Sequence, residues 1–287
     1  MFPATFEYYA PGTVKEAISL LSQHKDAKVI AGGHSLLPAM KLRLAQPTAL
    51  VDIGRIPELV GIKVGADGTT IGALTTHARI ALSEEIRARC PALPEAAALI
   101  GDRQVRNRGT IGGSLVHADP AADYPAVMVA LGAEMKVEGP GGVRTIKAGD
   151  FFKGLMTSAV EPDEILTEIH IPPPQPRSGC AYVKFPNPAS RFAIVGVCAW
   201  LSFDDKGVCA KASIGVTGAC ATAMRARSTE AELQGKLLDD ASIKSATAKA
   251  ADGMDCLSDI HASAEYRTHL VSVFTEKAVK AAAARAR

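Results

Sequence analysis

A chain of 287 residues with 47% hydrophobic content can bury a substantial core and is long enough for two domains or three small ones. Its 32 basic and 30 acidic residues leave a net charge of +2, which is too small to indicate nucleic acid or an anionic membrane as a partner. The longest apolar run, Ala193–Leu201, has nine residues, well short of the roughly twenty that a membrane-spanning helix needs. Because residues 1–7 have neither a basic start nor a long apolar core, we expect no signal peptide and a cytoplasmic location.

Several common chemistries have no motif in this sequence. The six cysteines are scattered without any Cys-x-x-Cys pair, which favours reduced thiols over a zinc or iron–sulfur site. There is no G-x-G-x-x-G, Walker A or His-Glu-x-x-His motif, so we expect neither a standard nucleotide-binding turn nor metal ligands in this chain.

Residues 1–60 predict a small strand–helix–strand layer. Thr13 and Glu16 have the spacing of a capping box, and apolar residues continue at helical spacing to about His24. Residues 28–31 favour a strand, and residues 50–53 favour a second strand after a basic helical stretch. The first strand runs directly into a glycine turn, Gly32-Gly33.

A second glycine turn, Gly112-Gly113, follows about eighty residues later. His-Ser-Leu follows the first turn, and Ser-Leu follows the second directly. Glycine adopts positive φ and lets backbone amides approach an anion closely, while a serine hydroxyl adds a donor. One extended diphosphate ligand shared by both turns would suit this chemistry. Two ordinary turns that end strands would contain the same residues, so the pattern alone leaves both interpretations open.

Residues 61–176 predict a sheet covered by helices. Short strands are expected at 70–72, 134–137 and 165–171, and helices around 78–83 and 93–100. Four prolines between 172 and 176 form a stiff linker that neither a helix nor a sheet interior accepts, so we place a domain boundary there.

Charged residues flank the second glycine turn. Asp119 has the features of a helix cap with Pro120 at the first helical position. Asp123 is either a solvated first-turn acid or an acceptor for sugar or ribityl hydroxyls, since a carboxylate only accepts hydrogen bonds. A basic group just before the turn could face phosphate, a partner subunit or solvent; its members are Arg103, Arg106 and Arg108.

Residues 177–287 predict a C-terminal domain of strands followed by helices. Three strands are expected at 181–185, 193–203 and 208–217, with residues 204–207 as the turn between the last two. A final helix at about 266–284 has an ordinary apolar core face.

These motifs together resemble the FAD-binding medium subunit of the molybdenum hydroxylases, the family of xanthine dehydrogenase and aerobic carbon monoxide dehydrogenase. The resemblance extends nearly from end to end. It implies an α+β protein with a two-subdomain FAD-binding fold of the vanillyl-alcohol-oxidase/PCMH type, followed by a C-terminal domain of a three-stranded antiparallel sheet with helices. The segments that carry it are 31–38 with Met40-Lys41, 50–53, 104–114, 123–126, 164–166, 169–172 and 265–267.

The resemblance also implies a set of cofactor contacts. FAD would lie between the first two subdomains, with its diphosphate held by the two glycine turns. Asp123 would be an acidic contact, Leu166 would pack on the flavin side, and Lys184 would be a basic contact close to the flavin. The first turn would contribute Ala31, Gly32, Gly33, His34, Ser35 and Leu36, and the second Thr110, Gly112, Gly113 and Ser114.

One segment departs from the carbon monoxide dehydrogenase pattern. After Lys184 those medium subunits continue with a basic stretch and a Gly-Asp-aromatic motif, whereas this chain has Pro186 and Pro188 in a loop that ends at Phe192. Two prolines fix φ and remove amide donors, so we expect a different backbone course. The departure does not favour carbon monoxide as the substrate, while Phe192 keeps an aromatic ring that could contact a flavin.

The family resemblance implies a function as well as a fold. The chain would be the electron-transfer subunit of a molybdenum-containing hydroxylase, taking electrons from [2Fe-2S] clusters on a small subunit and passing them to an external acceptor. Molybdopterin would reside on a large subunit, and we expect a dimer of heterotrimers. No catalytic residue is required here, because the cofactor carries the redox chemistry. Two alternatives are a self-sufficient FAD oxidoreductase and a non-enzymatic assembly module whose glycine turns are structural.

Overall fold

A computed structural model describes residues 1–286, which fold into three successive main sheets with their covering helices and one small two-stranded hairpin. No helix within this range is both long and apolar enough to cross a membrane. The first sheet is parallel with strand order β1-β3-β2, and α1 packs its apolar face on it. Its elements are β1 (Glu7–Tyr9), α1 (Val14–Gln23), β2 (Ala27–Ile30), α2 (Leu36–Lys41) and β3 (Ala49–Asp52), followed by a 3-10 turn at Pro57–Leu59.

The helix and both strands predicted for this region are confirmed. Thr13 caps α1 by accepting a hydrogen bond from the amide of Glu16 at 3.2 Å, as the capping spacing predicts. Strand β2 stops at Ile30, so the first glycine turn leaves the carboxyl end of a parallel strand, an edge where ligands commonly bind in open sheets. The strand β1 was not predicted, since it has only three residues and no buried side chain.

The second sheet is antiparallel, with strand order β4-β5-β10-β6-β7. Its helices cover a large apolar core in which α8 is buried along nearly its whole length. The strands are β4 (Ile62–Gly65), β5 (Gly68–Gly72), β6 (Glu134–Gly139), β7 (Gly142–Lys147) and β10 (Ile165–Ile171), with a separate hairpin of β8 (Phe152–Gly154) and β9 (Thr157–Ser158). The helices are α3 (His77–Ala81), α4 (Glu84–Arg89), α5 (Ala92–Leu99), α6 (Arg103–Arg108), α7 (Ile111–His117), α8 (Tyr124–Leu131) and α9 (Ala148–Phe151).

The third sheet is antiparallel, with order β11-β12-β13-β14, and α12 packs across β11 and β12. The three predicted strands and the final helix are confirmed. A two-residue strand, β14, adds a fourth member to the expected three, and its brevity leaves no periodic signal in the sequence. The elements are β11 (Ser178–Pro186), β12 (Ala193–Phe203), β13 (Cys209–Thr217), β14 (Met224–Arg225), α10 (Arg227–Leu233), α11 (Asp240–Thr247) and α12 (Ala264–Arg285).

The helix expected to begin at Pro120 begins instead at Tyr124, so the interpretation of Asp119 as its cap is wrong. The Asp119 carboxylate accepts from the amide of Ala121 at 2.8 Å, which makes a local turn. The end of β13 holds the carbonyls of this turn. The Gly218 amide donates to the Pro120 carbonyl at 2.7 Å, and the Thr217 hydroxyl shares its single proton between the carbonyl oxygens of Pro120 at 2.9 Å and Ala122 at 2.7 Å. A helix that started at Pro120 would need those carbonyls for its own amides.

Candidate cofactor-binding site

A cavity of about 670 Å³ opens between the carboxyl end of the first sheet and the helices of the second. Its size is within the roughly 300–1,000 Å³ range of ligand pockets. Of the fourteen residues predicted to bind the cofactor, all except Lys184 line it, although they come from all three parts of the chain. The lining members are Ala31, Gly32, Gly33, His34, Ser35, Leu36, Thr110, Gly112, Gly113, Ser114, Asp123, Leu166 and Phe192.

The first glycine turn has the geometry of an anion cradle. Gly33 has φ of +77°, a conformation that favours glycine, and the chain then enters α2. Within residues 1–286, the backbone amides of 32–35 and the Ser35 hydroxyl donate to no protein acceptor. Gly32 and Gly33 are half-buried, whereas His34 and Ser35 are exposed. Amides without a protein partner at a cavity are available to a ligand that accepts hydrogen bonds. The oxygens of a diphosphate meet that requirement.

The second glycine turn is built differently from the prediction. Gly112 and Gly113 lie in the first turn of α7, capped by Thr110, and neither has positive φ. Their amides are already used: Gly112 donates to the Ala73 carbonyl at 2.8 Å and Gly113 donates to the Thr110 hydroxyl at 3.1 Å. The second turn therefore presents a wall without side chains and a Ser114 hydroxyl that has no partner among residues 1–286. Within the same range, the expected row of free amides is found in the first turn and not in the second.

Close backbone packing holds the two turns together. A Cβ atom on Gly32 would lie 2.2 Å from the Arg108 carbonyl oxygen and 2.8 Å from the Gly109 Cα, distances that no side chain tolerates. Only glycine therefore lets the first turn approach the segment that leads into the second. The basic residues of that segment face elsewhere: Arg106 donates to the carbonyls of Ile100 and Gly101, and none of the three predicted arginines lines the cavity.

Asp123 is a buried ion-pair member rather than a solvated first-turn acid. Its carboxylate is 4% exposed and accepts from the Tyr182 hydroxyl at 2.5 Å and from Lys184 Nζ at 2.8 and 2.9 Å. Burial raises the pKa of Asp123, and Lys184 and Tyr182 oppose that rise. Lys184 also donates to the Leu99 carbonyl at 3.0 Å, so its ammonium lies behind Asp123 and away from the cavity surface.

Two apolar residues complete opposite parts of the cavity wall. Leu166 is 3% exposed in β10, next to an irregularity where the pairing of β10 with β6 shifts register. Such bulges redirect side chains near sites. Phe192 is 46% exposed and ends the proline-containing loop, whose turn is fixed by the Asn187 side chain accepting from the amides of Ala189 and Ser190.

One histidine in the cavity wall, His77, lies outside the motifs from which the site was predicted. His77 lines the cavity and is 5% exposed. It follows β5 in a segment that has no glycine motif. The sequence alone therefore does not indicate that His77 lines the cavity, and its packing beside the second turn does.

A second cleft, of about 800 Å³, lies between α4, the proline linker and β13, and contains none of the predicted residues. Among residues 1–286 no group of three or more His, Cys, Asp or Glu side chains has a metal-binding arrangement. The cavity with the glycine turns is thus the one that brings the predicted residues together.

Comparison with known proteins matches the chain over nearly its whole length. Residues 4–174 match the family described as "FAD binding domain in molybdopterin dehydrogenase", and residues 180–282 match the "CO dehydrogenase flavoprotein C-terminal domain". The carbon monoxide dehydrogenase medium chain of Hydrogenophaga pseudoflava is 40% identical, with 99% of each chain covered. The 6-hydroxypseudooxynicotine dehydrogenase complex subunit alpha of Paenarthrobacter nicotinovorans is 38% identical, covering 100% of this chain and 97% of that protein.

Solved structures agree with this. The carbon monoxide dehydrogenase from Hydrogenophaga pseudoflava that lacks the Mo-pyranopterin moiety of its cofactor contains a chain with a TM-score of 0.96 and 41% identity, covering 100% of both chains. A chain of quinoline 2-oxidoreductase from Pseudomonas putida 86 has a TM-score of 0.93 and 35% identity over 99% of both.

Proposed function

Because this chain belongs to the family of FAD-binding medium subunits of molybdenum hydroxylases, a family of oxidoreductase subunits, we propose that it is the electron-transfer flavoprotein of a three-subunit enzyme. It would receive electrons from [2Fe-2S] clusters on a small subunit, while the molybdenum cofactor resides on a large subunit. FAD, when bound, supplies the redox chemistry, and the electrons then leave to an external acceptor.

The observation that carries this proposal is the first glycine turn, with its free amides at residues 32–35 beside a cavity of cofactor size. The residues fit an FAD diphosphate, because the cavity provides hydrogen-bond donors where an anion needs them. At Gly113 an added Cβ would lie 2.9 Å from the Thr110 hydroxyl oxygen that caps α7 and 4.0 Å from the Ala31 Cβ of the first turn. A side chain longer than one carbon at this position would occupy the space between the two turns.

The protein's part in the proposed function is to hold and shield the cofactor. The amides of the first turn and the Ser35 and Ser114 hydroxyls would bind the diphosphate, and Leu166 would exclude water beside the flavin. Asp123 would accept from a cofactor hydroxyl with a lone pair not used by Tyr182 or Lys184. Lys184 would act through Asp123, by fixing that carboxylate, rather than by touching the flavin.

The relatives support a multi-subunit assembly, since their names describe medium chains or subunits of dehydrogenase complexes. The division of the chain into 1–60, 61–176 and 177–287 is also proposed, and the three sheets, each contained in one of those ranges, support it. Arg287 lies outside the described residues.

An absorption spectrum of the purified full chain tests the cofactor part of the proposal. We expect flavin bands, and mass spectrometry of the compound released by heat or acid should identify FAD. A colourless protein that cannot be reconstituted with FAD would instead favour the assembly-module alternative.

Affinity purification of the tagged chain from its native host tests the partner part. We expect a molybdenum-containing subunit and an iron–sulfur subunit in the same complex. Turnover of an organic electron donor by the isolated chain, with no partner recovered, would favour the self-sufficient oxidoreductase.

A further inference from the structure

The segment after β5 is the support on which the second glycine turn is built. Residues 73–77 run antiparallel to 109–112, with Ile111 donating to the Thr75 carbonyl at 3.0 Å and the His77 amide donating to the Gly109 carbonyl at 3.0 Å. His77 is the last residue of this pairing and the first of α3. Its backbone position is therefore tied to the turn, and its ring forms part of the cavity wall.

Hydrogen bonding determines which nitrogen of the His77 ring carries the proton. Nδ1 lies 3.0 Å from the hydroxyl oxygen of Tyr124, which is fully buried and has no other hydrogen-bond partner within residues 1–286. A buried hydroxyl proton left without an acceptor is costly, so Tyr124 donates and Nδ1 accepts. The remaining ring proton is then on Nε2. Burial, assisted by His34 and Arg106 nearby, lowers the pKa of His77 to about 4, so the ring is neutral near pH 7.

The Nε2 edge of the ring is directed at the junction between the two glycine turns. A Cβ on Gly109 would lie 2.6 Å from Nε2, and Gly109 in turn packs against Gly32 of the first turn. Within the described residues Nε2 has no hydrogen-bond partner, and it is not a sealed, inaccessible atom. A donor on a buried residue that lines the cavity is thus available to a ligand there.

We infer that His77 is a further cofactor-positioning residue, whose Nε2–H donates a hydrogen bond to an FAD phosphate oxygen between the two turns while Tyr124 fixes its tautomer. The inference rests on the proposed function, because it needs FAD in this cavity. It adds a side-chain donor on the side of the second turn, where the backbone amides are already used by the protein. A neutral donor of this kind binds the phosphate without adding a positive charge near the flavin.

Two conservative variants of the full chain separate this role from a packing role. In His77→Gln the side-chain amide nitrogen can occupy the place of Nε2, whereas in His77→Asn the amide reaches only the place of Nδ1 beside Tyr124. Flavin-depleted protein would be titrated with FAD and, in parallel, with riboflavin, which lacks the diphosphate. Because a hydrogen bond to a charged group contributes about 1.5–3 kcal/mol, we expect His77→Asn to weaken FAD binding about 10- to 100-fold.

For riboflavin we expect the affinity of His77→Asn to change by less than about threefold, and we expect His77→Gln to retain most of the FAD affinity. The ³¹P resonances of bound FAD should shift in His77→Asn, and by a smaller amount in Tyr124→Phe, because loss of the Tyr124 hydroxyl releases the constraint that keeps the proton on Nε2. Equal losses for FAD and riboflavin, or full FAD affinity in His77→Asn, would overturn the inference and leave the proposed function standing. Failure of the unmodified chain to bind FAD would overturn both.

Discussion

Replacing Lys184 with methionine should destabilise the chain strongly, because it leaves a carboxylate buried without its cation. The Lys184 side chain is 1% exposed and Asp123 is 4% exposed, and the ammonium makes two contacts to the carboxylate and a third to the Leu99 carbonyl. Breaking a buried pair by removing one partner costs about 3–5 kcal/mol. For a chain of this size that loss corresponds to a fall in melting temperature of roughly 6–20 °C.

The loss should depend on pH in a defined direction. Without Lys184 the pKa of Asp123 rises further, because the effect of burial is then no longer opposed by the ammonium. The pKa of this carboxyl is 3.8 in the unfolded chain and higher in the folded state. Such a carboxyl contributes most to stability at low pH, and that contribution is lost as the pH rises through the folded pKa. The free energy of unfolding of Lys184→Met should therefore be closer to that of the unmodified chain at pH 5 than at pH 7.5. Between these pH values the difference should change by up to about 1.4 kcal/mol per pH unit.

Thermal and urea denaturation of the apo chain at both pH values measure this. The matched control is Lys136→Met, which removes a half-exposed pair of Lys136 with Glu168 at 3.2 Å and should cost less than about 1 kcal/mol. If Lys184→Met cost no more than this control, or if its effect were the same at both pH values, the buried-charge argument would be refuted.

Three substitutions at glycines test how the cavity is built. Gly113→Val should lower FAD affinity at least about tenfold, since its side chain enters the space between the turns, while far-ultraviolet circular dichroism stays native. The control is Gly141→Val, at an open position. Normal flavin content in Gly113→Val would contradict the cradle. Gly32→Ala should separate the two turns and reduce both the melting temperature and FAD binding, because its Cβ meets backbone at 2.2 Å; unchanged thermal unfolding would argue against this close approach. Gly196→Ala places a Cβ 2.2 Å from the Tyr182 hydroxyl oxygen and should cost about 1–3 kcal/mol of unfolding free energy by displacing that hydroxyl from Asp123. The cost should be smaller in a Tyr182→Phe background but not absent, because the Cβ still lies 2.9 Å from Thr217 Cγ2.

The long elements were predictable because each has an extended apolar pattern. Strand β12 is a nearly continuous apolar run, and helix α12 repeats apolar residues at intervals of three and four, so the sequence places both within two or three residues. Strand β7 was not predicted, because five of its six residues are exposed and no alternation remains to detect. Its position is determined by pairing with β6, which is a tertiary effect.

The candidate site was predictable as a list of residues but not as a structure. Both glycine pairs mark places where side chains are excluded, but the reasons differ. In the first turn the exclusion leaves backbone amides without protein partners, and in the second turn it lets α7 pack against Ala73. Asp119 was misinterpreted because its local sequence favours a helix cap, while Thr217, distant along the chain, takes the carbonyls that such a helix would need. His77 has no local signal, because its neighbours in space come from other segments.

The bonds from Thr217 and Gly218 to the loop that precedes Asp123 impose an order on biosynthesis. Thr217 is 97 residues downstream of Pro120, so at roughly 5–20 residues per second it leaves the ribosome about 5–20 s later. During that interval both glycine turns have been made, but the loop before Asp123 lacks its hydrogen-bond partners. We expect a chain that ends before Thr217 to retain flavin less well than the full chain.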